Sequence, residues 1–189
     1  DLRTLQGQLR GRPVQVRGAL AGAGSQWTLQ RLDARSGQAR LQAQGQWGPA
    51  VRLDANLRAP DLSDLWPGAS GRVEASVRAE GAQDNPRLSL DGSARDVRWE
   101  TYRVSELSLA GKWQGRDAPL QADLAVRQLG LGERTVAQAT LELRGRPAEH
   151  RLSLGVTGEG AALQLAAAGG WRDARWAGQL TALSVHPEA

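Results

Sequence analysis

The feature that most constrains this chain is a two-residue alternation that returns along its whole length. In Gly71 to Ala79, the small or apolar residues Val73, Ala75, Val77 and Ala79 interleave with Arg72, Glu74, Ser76 and Arg78. Successive side chains of a strand point to opposite faces, so such a run makes a strand with one dry face and one wet face. The pattern recurs through Ala39, Leu41, Ala43, Gly45 and Trp47, and again through Leu120, Ala122, Leu124 and Val126. It leaves no amphipathic helix of useful length. A one-sided antiparallel sheet has to hide its dry face in a sandwich, in a barrel, or by curling on itself.

The breaks in the alternation place the turns. Gly11-Arg12-Pro13, Gly48-Pro49, Asn85-Pro86, Asp117-Ala118-Pro119 and Gly145-Arg146-Pro147 separate the runs, and none of the eight prolines lies inside one. Proline cannot donate to a central ladder, so its positions agree with these boundaries. Between Trp27–Leu29 and Leu32–Ala34 the parity slips, which predicts a bulge. From Pro60 to Gly68 the pattern changes: Leu62, Leu65 and Trp66 fall at helical spacing and Pro67 closes the run, which predicts one helical turn capping an edge of the sheet. About a dozen strands at about 4.8 Å each would make a body roughly 60 Å long. Residues 1–189 therefore read as one elongated segment. The expected fold is all-β: an elongated, curled antiparallel sheet (a β-taco or groove) with an apolar interior and at most one short helical turn near residues 61–66.

A weak internal repeat ends at tryptophans. LQAQGQW ends at Trp47, LSLAGKW at Trp113 and LAAAGGW at Trp171, 66 and 58 residues apart. Two readings stand: a duplicated meander, or Gly-x-Trp used repeatedly as a hairpin end. The tryptophans themselves read either as groove rims or as hairpin packing.

The dry face is aliphatic, with no Phe or Met and a single tyrosine, Tyr102. A sandwich core is usually filled by large aromatics, whereas smooth walls of Leu, Val, Ala and Gly leave space for flexible hydrocarbon. The residues expected to line such a groove are Leu41, Val51, Leu53, Leu57, Val73, Val77, Leu88, Leu90, Leu107, Leu109, Leu120, Leu124, Val126, Leu141, Leu143, Leu152, Leu154, Leu163 and Leu165. The expected ligand is flexible hydrocarbon, such as the acyl chain of a lipid. The rival reading is a scaffold or passenger-type binding module whose dry face is a closed core.

Other classes fit the composition poorly. A net charge of +4 and a single lysine, Lys112, with arginines alternating among Gln, Asp, Glu and Ser, give no clustered basic face, so nucleic acid is not an expected partner. His150 and His186 stand far apart, no GxSxG or phosphate loop occurs, and pairs such as Asp61 with Asp64 or Glu142 with Glu149 fall on turns or wet faces. The chain is accordingly read as a non-enzyme with no catalytic residue, metal or cofactor. Without cysteine it has no disulfide or thiol chemistry. An aromatic content of 4% is too low for the girdles of a membrane barrel. The absence of methionine and the opening at Asp1 suggest a piece of a larger protein.

The stretch from Ala59 to Trp113 resembles the TamB family, within the AsmA-like, repeating β-groove superfamily. The resemblance rests on LSDLWPGASGR, a strand, the turn and strand of DNPRLSLDG, and the run LSLAGKW; a weaker similarity extends over essentially the whole chain. It implies a taco-shaped β-structure in the periplasm, part of a long protein anchored in the inner membrane of a Gram-negative bacterium. It also implies phospholipid movement to the outer membrane and, with a TamA-like outer-membrane partner, assembly of outer-membrane proteins. It transfers no catalytic residue. Neither the membrane anchor nor a partner-binding end is expected within this chain.

Overall fold

The computed structural model describes residues 2–172 and 175–187. They form one antiparallel sheet of thirteen strands whose spatial order is their order in the chain. The strands are β1 (Leu2–Leu9), β2 (Arg12–Ala23), β3 (Gln26–Ser36), β4 (Ala39–Trp47), β5 (Ala50–Ala59), β6 (Ala69–Ala82) and β7 (Asn85–Trp99). They continue with β8 (Tyr102–Trp113), β9 (Leu120–Leu131), β10 (Arg134–Arg146), β11 (Glu149–Gly158), β12 (Ala161–Arg172) and β13 (Arg175–Pro187). β1 does not meet β13, so the sheet stays open. Each strand twists against the next with the same hand, so the long sheet is a twisted strip.

A meander of this kind has two long margins. The turns after β2, β4, β6, β8, β10 and β12 make one, which we call the first margin; the turns after the odd strands make the second. Proline keeps to the margins or the strand ends: Pro13 and Pro86 are the second residues of β2 and β7, and Pro187 closes β13.

Parity slips occur where backbone geometry requires them. β3 and β4 change register between Leu29 and Leu32, at the bulge the sequence predicts. β12 and β13 change register between Ala166 and Ala167, so Leu183 and Val185 share a face with Leu180, and the even-numbered alternation of Trp176, Gly178 and Leu180 ends there. A third register change lies between β6 and β7, at Ser70 and Arg72, beside a crease marked by positive φ in β7 and β9. Asp96 and Gln128 adopt positive φ of 52° and 50° inside β7 and β9, and opposite Asp96 the backbone of β6 passes through Gly71 at φ 109°. Beyond this crease Val97, Val104, Leu129 and Val136 are mutually paired.

The only helical element among the described residues is a 3₁₀ turn, η1 (Leu62–Asp64). Asp61 caps it by accepting the Ser63 N–H at 2.9 Å. The loop folds back over the second margin: the Ser36 hydroxyl donates to the Asp64 carbonyl at 2.7 Å, and the Gln38 N–H donates to the Asp64 carboxylate at 2.7 Å. Ser36, Ala39, Ala59 and Ala69, at the ends of β3 to β6, are buried there. The guanidinium of Arg10, in the β1–β2 turn, stands 3.0 Å from the ring centre of Trp66. On a flat sheet those turns would lie four strands, or about 19 Å, apart. The loop thus covers one stretch of the second margin.

Candidate functional site

The register aligns the apolar residues into continuous rows running across the strands. One row contains Leu5, Val16, Ala34, Leu41, Leu57, Ala75, Gly92, Leu109, Leu124, Leu141, Leu154, Leu165 and Leu183, with no polar side chain among them. A parallel row holds Ala55, Val77, Leu90, Gly111, Ala122, Leu143, Leu152, Ala167 and Leu180. A third contains Leu53, Ala79, Leu88, Trp113 and Leu120, and a fourth contains Val73, Ala94, Leu107, Val126, Ala139, Val156 and Leu163. With Val51 beside Leu53 on β5, every residue the sequence proposes for the groove falls on this one face.

No second layer packs on that face, and no large side chain among the described residues is fully buried. Of the proposed groove residues, Val51 and Val126 are buried, Val77 and Leu88 are exposed, and the rest are half-buried. A leucine in a closed core is covered on all sides. Here the strand neighbours cover the flanks and the outer ends stay open.

The opposite face is polar and electrostatically paired. Arg78 meets Asp54 at 2.7 Å, Arg58 meets Glu74 at 3.3 Å, Arg127 meets Glu106 at 3.5 Å, and Arg144 pairs with Asp123. In these four cross-strand pairs the charge is locally balanced. An open hollow of about 850 Å³ crosses β5 to β10 on this side. Its walls are the residues flanking the first apolar row, such as Asn56 and Arg58, Asp91 and Ser93, and Thr140 and Glu142. Leu57, Leu109, Leu124 and Leu141 of that row line it as well. Among the described residues no group of three His, Cys, Asp or Glu could hold a metal ion, and no helix is long and apolar enough to cross a membrane.

The seven tryptophans and the tyrosine all lie at the margins. Trp27, Trp47, Trp113, Trp171 and Trp176 stand along the first margin, at the starts or ends of β3, β4, β8, β12 and β13. Register puts them on the apolar face: Trp27 opposes Trp47, Trp113 lies between Leu88 and Leu120, and Trp171 opposes Trp176. On the second margin Trp66 meets Trp99 edge-on at 6.0 Å, and Trp99 stacks on Tyr102 at 5.9 Å. The apolar face is therefore aliphatic between two aromatic borders. An indole or phenol suits such a border because its body is apolar and its tip polar.

Two tryptophans of the first margin differ in their surroundings. Trp176 lies against Gly169 and Gly178, where a Cβ would collide with its ring, and its Nε1–H donates to His150 Nε2 at 2.9 Å. His150 is 7% exposed and its Nδ1 is 3.2 Å from the carbonyls of Arg146 and Pro147. This arrangement needs the proton on Nδ1, so the imidazole is a satisfied structural group. Trp113, at the middle of the margin, is different: its Nε1 is buried with no acceptor. Neither indole environment was readable from sequence, because the neighbours come from strands joined only through register.

The chain is 25% identical over 164 residues to the translocation and assembly module subunit TamB of Haemophilus influenzae, an alignment covering 85% of this chain and 13% of that protein. The chain thus corresponds to about an eighth of the length of that relative. No solved structure matches the chain. The model of the TamB N-terminal domain matches residues 2–188, and the chain belongs to the TamB family.

Proposed function

We propose that this chain is a section of a periplasmic hydrophobic conduit that carries phospholipid between the inner and outer membranes. The observation that carries the reading is the continuous apolar face, thirteen strands long, with no second layer and no large side chain fully buried among the described residues. A closed-core scaffold would bury those leucines. Keeping hydrocarbon out of water is worth about 0.8 kcal/mol per methylene, so a sixteen-carbon chain in water costs on the order of 12 kcal/mol. A face of nearly uniform aliphatic character lowers that cost by a similar amount at every position and favours none strongly, so a bound acyl chain slides. Gly92 and Gly111, set among leucines, add local width to the floor. No residue is assigned a catalytic role and no cofactor is required.

The parent protein is placed in the envelope of a Gram-negative bacterium, anchored in the inner membrane, with this segment in the periplasm. It supports outer-membrane protein assembly with a TamA-like partner that contacts parts of the parent beyond this chain. The relative's name, a translocation and assembly module subunit, supports that part of the reading.

The test is native mass spectrometry, with lipid extraction, on gently purified protein. Bound phospholipid is expected in the wild type and its loss in Leu109→Arg and Leu124→Arg, which place a guanidinium on directly paired positions at the centre of the first apolar row. A folded wild type that carries no lipid and takes up no fluorescent fatty acid sinks the conduit and favours the scaffold.

A further inference from the structure

The margin at the β8–β9 turn has features that hydrocarbon binding alone does not explain. The Trp113 indole stands on the apolar face between Leu88 and Leu120, and its N–H is buried without an acceptor. Such a donor gives up its bond to water and gets nothing back from the protein. By contrast, the N–H of Trp176 on the same margin is satisfied by His150. Trp113 projects from the apolar face, so an acceptor that meets it arrives from that side. Arg116, in the turn that follows, is exposed and among the described residues is in no ion pair. The Arg116 backbone N–H donates to the Asn85 side chain, which ties this turn to the β6–β7 turn and fixes where the guanidinium starts.

From this we infer that the β8–β9 turn is a headgroup station for a glycerophospholipid. The indole N–H of Trp113 donates to an ester or phosphodiester oxygen, Arg116 of the turn faces the phosphate charge, and the acyl chains lie on the neighbouring leucines. The requirements match one amphiphile: an apolar body, an acceptor at the boundary, and a negative charge just outside it. This assignment rests on the conduit reading and adds to it an orientation, with headgroups at the first margin.

The experiment compares two probes on the same protein: a pyrene-labelled phosphatidylglycerol, and dodecylpyrene, which has no acceptor and no charge. Trp113→Phe keeps an aromatic ring and removes the donor; it is expected to weaken phosphatidylglycerol binding roughly tenfold and to leave dodecylpyrene unchanged. Arg116→Gln serves as a second variant, with a several-fold loss for the phospholipid only that fades as salt is raised. Equal losses for both probes in Trp113→Phe would make the ring a packing element and overturn the station, as would no loss in either variant. If the wild type binds neither probe, the conduit reading itself falls.

Discussion

The Asp61 carboxylate is held below the ordinary carboxylate pKa by the Ser63 backbone N–H that it accepts, and the Asp33 carboxylate by its 2.7 Å bond from Arg35, helped by Gln42. Each pKa is lower in the folded chain than the value of about 3.9 expected unfolded. Their contribution is therefore complete above that value and is lost as pH falls through the lowered ones. Thermal unfolding followed from pH 7 to pH 2.5 should show a falling midpoint confined to the acid limb. Asp61→Asn, which keeps an acceptor at the cap, should flatten part of that limb and leave the neutral midpoint nearly unchanged. At this scale the apolar face was legible, because leucine and valine keep one parity within each run, as at Leu53 and Leu57, Leu88 and Leu90, or Leu163 and Leu165. The positive φ of Asp96 and Gln128 was not, since neither Asp-Val nor Gln-Leu is a turn signal by itself.

Among the elements, the crease between β6 and β10 sets the most exacting local demand. A Cβ on Gly71 would stand 2.6 Å from the Asp96 carbonyl oxygen, and the residue already sits at φ 109°. Gly71→Ala should therefore cost about 1–3 kcal/mol, read from urea unfolding, whereas Gly132→Ala, with open space around its Cβ position, should cost less. The elements divide in how plainly the sequence announces them. The 3₁₀ turn was readable from Leu62, Leu65 and Trp66 followed by Pro67, and the β3 bulge from the parity change between Leu29 and Leu32. The slip in β13 was hidden, because Leu180, Ala182 and Leu183 let the run continue on either parity; only the pairing with β12 chooses. The outer reaches of β9 and β10 were also missed, since Gln128 interrupts the alternation that Leu129 and Leu131 resume.

For the whole molecule, the governing fact is that substantial contacts join strands adjacent in the chain, with η1 adding its own to β6. Stability of such a body is close to a sum over neighbouring strands. Hydrogen exchange should be slowest in β6 to β9 and fastest in β1 and β13, where Leu5 and Val185 are 68% and 65% exposed. An open face also changes what a cavity means. Leu124→Ala should cost about 1–2 kcal/mol in urea unfolding, below the 2–5 kcal/mol of a closed core, because water or ligand already reaches the vacated space. A cost inside the closed-core range would argue for a covered face.

The Gly-x-Trp strands β4, β8 and β12 recur every fourth strand, about 19 Å apart at about 4.8 Å per strand. With no closing contact to preserve, an inserted or deleted set of four strands shifts everything beyond it without altering any existing pair. Reach then becomes a matter of counting, and a chain built in this way can be tailored to the width of a gap by whole-number edits to its gene.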